Sequence, residues 1–281
     1  MNMNGGFEIK KILNNNVVIA ISDQNTEVVL TGKGIGFNQK QGERLDESKV
    51  DKYFVLIDKH EQEQYKLLVP NVSESFIAIM NDSISLIEDK LDSQLDEHIH
   101  VSLTDHLSFA IKRLRQGLDV KYPFLVETQT MYPKEYTVAE EVIQHINHKL
   151  DVALPDGEIG FVALHIHSAI TNRSVGKLNK YSALINQLVN VIEDSLHLVI
   201  DRTGIDYLRL VRHLRHAIER SELNQPVEAH ERLEKVLKEE YPVCYNLSWK
   251  LIKIMQKELR TNFPDAEAVY LTMHLQRLSP K

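Results

Sequence analysis

Two rhythms of apolar and polar positions divide the chain. Near the N-terminus the apolar residues come in short, largely β-branched runs: Phe7-Glu8-Ile9-Lys10-Lys11-Ile12-Leu13, Val17-Val18-Ile19-Ala20-Ile21 and Thr26-Glu27-Val28-Val29-Leu30-Thr31. Asn14-Asn15-Asn16 and Ser22-Asp23-Gln24-Asn25 separate them, and such clusters favour turns because their side chains hydrogen-bond the local backbone. The pattern predicts a small antiparallel β-sheet. Gly32, Gly34 and Gly36 then alternate with Lys33 and Ile35 before Phe37, so the backbone can bend sharply while a cation and an aromatic ring are presented close by. A sheet of roughly 55 to 60 residues is marginal alone, which predicts a dimer.

From about Ser73 the spacing becomes helical. Phe76-Ile77, Ile79-Met80, Ile84, Ile87 and Leu91, then Leu103, Leu107, Ala110-Ile111 and Leu114, follow the three-to-four spacing of a buried helix face. Gly117, Tyr122-Pro123 and Pro133 interrupt it. The helical part is also duplicated. Tyr132-Pro133, Pro155-Asp156, Glu158 and His165 recur as Tyr241-Pro242, Pro264-Asp265, Glu267 and His274, at an offset of 109 (274 − 165). The stretch from Asp105-His106 to Arg113 recurs from Arg212-His213 to Arg220, at an offset of 107 (213 − 106). In each copy a Pro-Asp pair precedes the last helix, with acidic residues in its first turn where the helix dipole favours them. Asn172, Ser174, Gly176 and Asn179 mark the joint between the copies. The fold class is therefore multidomain: a small antiparallel sheet over residues 1–60, then two all-α helical bundles over 61–172 and 173–281.

Composition narrows the function. An apolar share of 43% supports real cores, and a mean hydropathy of -0.28 without a membrane-length apolar run predicts a cytoplasmic protein with no membrane insertion. Met1-Asn2-Met3-Asn4-Gly5-Gly6 has neither the basic flank nor the apolar stretch of a signal peptide. The net charge of -7 arises outside residues 1–57, which hold seven Lys and Arg against seven Asp and Glu, so no basic stripe announces a nucleic-acid partner. Cys244, the one cysteine, has an apolar context and is expected to be a buried thiol.

The chemistry that repeats is imidazole. Each copy holds two histidines at equivalent positions, His106 with His165 and His213 with His274. A phosphorylatable histidine needs one ring nitrogen exposed to the donor and the other held by a hydrogen bond. Asp105 adjoins His106 and is the expected orienting carboxylate, whereas Arg212 stands at the equivalent place beside His213. His165-Ile166-His167 and the pair His213 and His216 lack a third ligand spaced to complete a metal site, so no metal or other cofactor is expected. His60, His98, His100, His145, His148, His197 and His230 have no repeated context and are expected at the surface.

These motifs, in this order and with this duplication, resemble over essentially the whole chain the BglG/SacY-type transcriptional antiterminators, with wording nearest the glucose-operon branch. The resemblance implies a CAT-type RNA-binding domain followed by two phosphotransferase-system regulation domains, PRD1 and PRD2. It implies a homodimer that binds an mRNA leader hairpin, the ribonucleic antiterminator, and so prevents an overlapping terminator. It further implies phosphorylation of His106, His165, His213 and His274, with HPr and a sugar-specific permease (EII) as donors, and no catalytic role.

The residue chemistry is compatible with an RNA ligand. Lys11 can contact phosphate, Phe37 can stack on an unpaired base, and the amides of Asn14 and Asn16, two apart on an extended ribbon, would point the same way. Gly32 and Lys33 complete the expected RNA-binding set. Lys33 supplies charge where the family often has arginine, without the bidentate fork. Two other classes remain at this point: a DNA-binding activator carrying the same regulatory domains, which requires a helix-turn-helix near one end, and a histidine phosphotransfer enzyme, which requires a phosphate cradle.

Overall fold

The computed structural model describes residues 6–45, 47–55, 59–118, 121–228 and 231–279. Residues 1–5 of the N-terminal stretch assessed for a signal peptide lie outside the described residues, as do His230 and the side chain of His60. The described residues form two compact units, one from residues 1–121 and 134–173, the other from 122–133 and 174–281.

Five strands build the N-terminal sheet: β1 (Phe7–Asn14), β2 (Val17–Ser22), β3 (Glu27–Thr31), β4 (Arg44–Leu45) and β5 (Lys52–Phe54), in the order β4-β1-β2-β3-β5 with every pair antiparallel. The first three coincide with the β-branched runs. The short edge strands carry no sequence rhythm of their own. The unbroken apolar run of β2 follows from burial on both faces, since consecutive strand side chains point to opposite sides. Val18 and Ala20 pack with Phe7, Ile9, Val28, Leu30 and Ile35 on one face. Val17 and Ile19 pack with Val29, Tyr65, Val69, Ile77 and Val101 on the other. Helical residues of the same unit thus supply the second half of a core that the sheet is too small to make alone.

The helices of the first unit are α1 (Lys59–Leu68), α2 (Glu74–Leu91) and α3 (Ile99–Arg115), with α5 (Pro133–Leu150) and α6 (Asp156–Thr171) after the intervening α4 (Leu125–Met131). Helical structure begins before Ser73: α1 is polar around Tyr65, Leu67 and Leu68, so its period is weak. Ser73 caps α2 by accepting the N–H of Phe76 at 3.2 Å. Helix α6 ends at Asn172, whose φ of 52° closes it in the left-handed region. The second unit continues with α7 (Val175–Leu196), α8 (Ile205–Glu222), α9 (Glu231–Glu240), α10 (Pro242–Leu259) and α11 (Ala266–Leu278). Ser174 caps α7, so Gly176 and Asn179 lie inside a helix and the joint is narrower than their composition implies.

Helix α4 belongs to the second unit, where it packs on α7 and α8. Its Thr128 Oγ1 lies 3.0 Å from Ser182 Oγ, and Asn186 Nδ2 donates to the buried Glu127 Oε1 at 3.0 Å. Arg215 on α8 donates to the carbonyl of Met131 and lies over the Tyr132 ring. Its repeat counterpart, α9, packs against α10 and α11 instead.

Candidate functional site

The glycine-rich turn and the asparagine turn form one surface. The asparagines are not an extended ribbon: Asn14 ends β1 and pairs with Val17, leaving Asn15 and Asn16 as the hairpin loop. Asn14 Oδ1 accepts the N–H of Asn16 at 2.9 Å, and its Nδ2 is buried without a hydrogen-bond partner among the described residues. Asn16 Oδ1 accepts the N–H of Gly34 at 2.6 Å and so ties the two turns together. Gly34 has φ of +70°, which a side chain would strain, and a Cβ at Gly32 would collide with the Lys49 carbonyl. The turn leaves Lys33 exposed and Phe37 60% exposed while Ile35 is fully buried. An aromatic ring this open, on a turn this constrained, is available for stacking. Lys11 is exposed on β1. The sequence did not single out Glu74, the first residue of α2, which reaches this surface. Its Oε1 accepts the Asn15 N–H at 2.9 Å and its Oε2 accepts from Asn16 Nδ2 at 3.2 Å.

The repeated histidines meet in pairs. His106 on α3 and His165 on α6 have ring centroids 5.1 Å apart, and His213 on α8 and His274 on α11 have theirs 4.7 Å apart. Each pair rests on a carboxylate and an arginine. Glu158 Oε2 lies 2.7 Å from His106 Nε2, and its Oε1 accepts from Arg113 at 2.9 Å. Glu267 Oε2 lies 3.3 Å from His213 Nε2, and its Oε1 accepts from Arg220 Nε at 3.0 Å and from Nη2 at 2.7 Å. His106 and Arg113 lie seven residues apart, as do Glu158 and His165, which is two helical turns and hence one face.

The orienting group of His106 is therefore Glu158 rather than Asp105, which is exposed at the rim of the neighbouring cleft. The partner of His213 is Glu267. Glu158 and Glu267 had stood out only as first-turn acids of their helices, although their recurrence seven residues before each second histidine places them on its face. Arg215, two residues after His213, turns away to α4. His98 is not a surface residue: its Nδ1 lies 2.8 Å from Asp96 and its Nε2 3.1 Å from Ser168. His167 joins Glu135 at 2.8 Å and is likewise buried.

Burial sets the charge state of each pair. His165 is pushed down to about 3 by burial, reinforced by the neighbouring His106 and His98. His274 is pushed down to about 4 by burial, then by His213, Arg277 and Arg209. Burial pushes the Glu267 carboxyl up, but His213 and Arg220 outweigh it and hold the group below the ordinary carboxylate range. His165 Nδ1 lies 3.3 Å from Ser102 Oγ. A cleft of about 700 Å³ opens over the first pair, walled by Gln64, Leu67 and Leu68 of α1 and by Asp105 and Phe109 of α3.

A two-faced sheet with a constrained, aromatic-bearing turn, attached to twice-repeated histidine pairs, has the layout of an RNA-binding regulator. The CAT RNA binding domain model matches residues 7–63, and the PRD domain model matches twice, over 81–169 and 186–278. The chain belongs to the BglG/SacY-type transcriptional antiterminator family, in which a CAT RNA-binding domain precedes two PRD domains. It is 52% identical over 279 residues, 99% of each chain, to the PtsGHI operon antiterminator of Bacillus subtilis (strain 168). It is 40% identical over 273 residues, 96% of each chain, to Protein GlcT of Staphylococcus saprophyticus. A crystal structure of GlcT CAT-PRDI aligns with a TM-score of 0.55 at 54% identity, covering 60% of this chain and all of that one. The N-terminal segment forms strands where a DNA-binding activator would need a helix-turn-helix. Among the described residues no helix is long and apolar enough to cross a membrane.

Proposed function

We propose that this antiterminator serves a glucose phosphotransferase operon. As a homodimer it binds the leader hairpin through Lys11, Asn14, Asn16, Gly32, Lys33 and Phe37, and phosphoryl transfer from HPr and a sugar permease to His106, His165, His213 and His274 controls it. The observation that carries the regulatory half is the brace built twice from a glutamate and an arginine beneath a histidine pair. With Nε2 of His106 held as a donor to Glu158, its Nδ1 lone pair is the nucleophile. The new N–P bond forms there as the donor's bond to phosphorus breaks, and the phosphoryl group brings close to two negative charges into the cleft. The same α1 that walls this cleft carries Tyr65 into the core shared with β2 and β3, so charge at His106 acts beside the support of the RNA-binding sheet.

The test uses the full chain with a leader hairpin and in vitro transcription through its terminator. Phe37→Ala is expected to weaken binding roughly tenfold, the loss of about one stacked base, and to lower read-through without unfolding the sheet. Unchanged affinity in Phe37→Ala would remove this surface from the reading. Permease-dependent phosphate that persists within residues 74–170 when His106 and His165 are replaced together would remove the first pair.

A further inference from the structure

The histidine pairs have the same floor and different rims. Ser102 lies one turn before His106 and faces the ring of its partner, 3.3 Å from His165 Nδ1. The duplication puts Arg209 at that place in the second copy, one turn before His213. Asp105 at the mouth of the first pair is replaced by Arg212, and Ser168, one turn after His165, by Arg277, one turn after His274. The local field agrees with this placement, because Arg277 and Arg209 both act against protonation of His274. All three of these arginines are exposed, and Arg209, whose side chain is 51% exposed, makes only a loose 3.4 Å pair with Asp206. The fourth arginine, Arg220, is committed to Glu267 below the rings and fixes the floor.

From this we infer that Arg209 and Arg277 form a cradle for a phosphoryl oxyanion over the second histidine pair, and that the first pair has no such cradle. The inference rests on the phosphoacceptor reading for the covalent form of that oxyanion; free inorganic phosphate presents the same chemistry. Guanidinium groups suit it because their planar donors match phosphate oxygens and remain charged at any working pH. A phosphoryl group at the second pair exchanges repulsion for charge-assisted hydrogen bonds, with Arg209 leaving Asp206 to make them. At the first pair it meets Asp105, and Lys112 is the one Lys or Arg among the residues that line that cleft. The two domains therefore differ in how stably they hold the same modification.

The experiment is phosphorus NMR on the full chain after treatment with phosphoramidate, as a function of pH, with peptide mapping to assign each phosphohistidine. The dianion at the second pair is expected to form about one pH unit lower than at the first, as a neighbouring opposite charge dictates. Arg209→Gln with Arg277→Gln should abolish that difference, and Ser102→Arg should lower the titration of the first pair. A parallel arm titrates unmodified protein with inorganic phosphate and follows the His274 ring by proton NMR. Phosphate binding lost in the double variant, without covalent uptake, supports the cradle with free phosphate as its occupant and counts against the phosphoacceptor reading alone. Identical titrations in wild type and double variant, or neither uptake nor phosphate binding at the second pair, would overturn the cradle.

Discussion

The first and second histidine pairs keep the same brace while their surroundings diverge. Beneath each pair a buried glutamate joins a histidine on one helix to an arginine two turns further along it. Above them the first copy places Ser102, Asp105 and a single cation, Lys112, and the second places Arg209 and Arg277. What lies below is tied to folding, because an unpaired buried carboxylate is costly; what lies above faces solvent and is free to specialise. The copies also differ in one equivalent helix: α4 is held by α7 and α8 of the second unit, whereas α9 stays with α10 and α11. Duplication preserved the interior of the site and released its rim and its neighbours.

The largest expected effect tests the shared brace. Glu267→Ala leaves Arg220 and His213 without their countercharge, and Glu158→Ala does the same to Arg113 and His106. Each should lower stability by about 3 kcal/mol in urea unfolding, less any relief as partly exposed arginines turn to water. A loss at one site with none at the other would break the equivalence.

A pH series sharpens the comparison. The buried His165 and the half-buried His274 are neutral in the fold, lowered to about 3 and to about 4. The unfolded chain takes up the proton near the ordinary value of 6.5, so the stability these groups contribute is full above that pH and declines as pH falls. The decline runs to about 4 for His274 and to about 3 for His165, at up to about 1.4 kcal/mol per pH unit for each group. Urea midpoints should therefore depend less on acid in His165→Gln and His274→Gln than in wild type, with the His165 difference extending to lower pH. Parallel curves for variant and wild type would mean that the ring is charged or solvated in the fold.

The smallest effect concerns the equivalent helices α4 and α9. Arg215→Ala removes the hydrogen bond to the Met131 carbonyl and the contact with Tyr132, at a cost of about 1 kcal/mol. Hydrogen exchange should quicken in α4 and remain unchanged in α9, where the sequence offers no counterpart to this clamp. Equal quickening in both would show global loosening instead.

The strands β1 to β3 were legible because β-branched runs and amide turns signal them directly. Strands β4 and β5, at two and three residues, are held by pairing alone and have no local signal. The four histidines were legible through their recurrence. Their braces were half legible: Glu158 and Glu267 recur too, but acidic first-turn residues are so common that the helix dipole seemed a sufficient reason for them. Asp105 looked the better partner of His106 because it is adjacent in sequence, yet neighbours on a helix point about 100° apart and seldom touch. The assignment of α4 to the second unit was invisible, since it depends on Glu127, Thr128 and Met131 meeting side chains more than fifty residues away.

On the proposed reading, in which Asn16 contacts RNA, the contact of Glu74 with the hairpin turn gives recognition a threshold. Both oxygens of this carboxylate are engaged, by the Asn15 N–H and by Asn16 Nδ2, so the amide donor is already satisfied from within the chain. A ligand that reads Asn16 competes with a charged acceptor rather than with water. A nucleic acid with a poorly placed acceptor gains little from that exchange, while a well-matched hairpin recovers the lost bond through several contacts at once. The internal carboxylate thereby screens ligands, and it does so from the first turn of a helix in the regulatory half of the molecule.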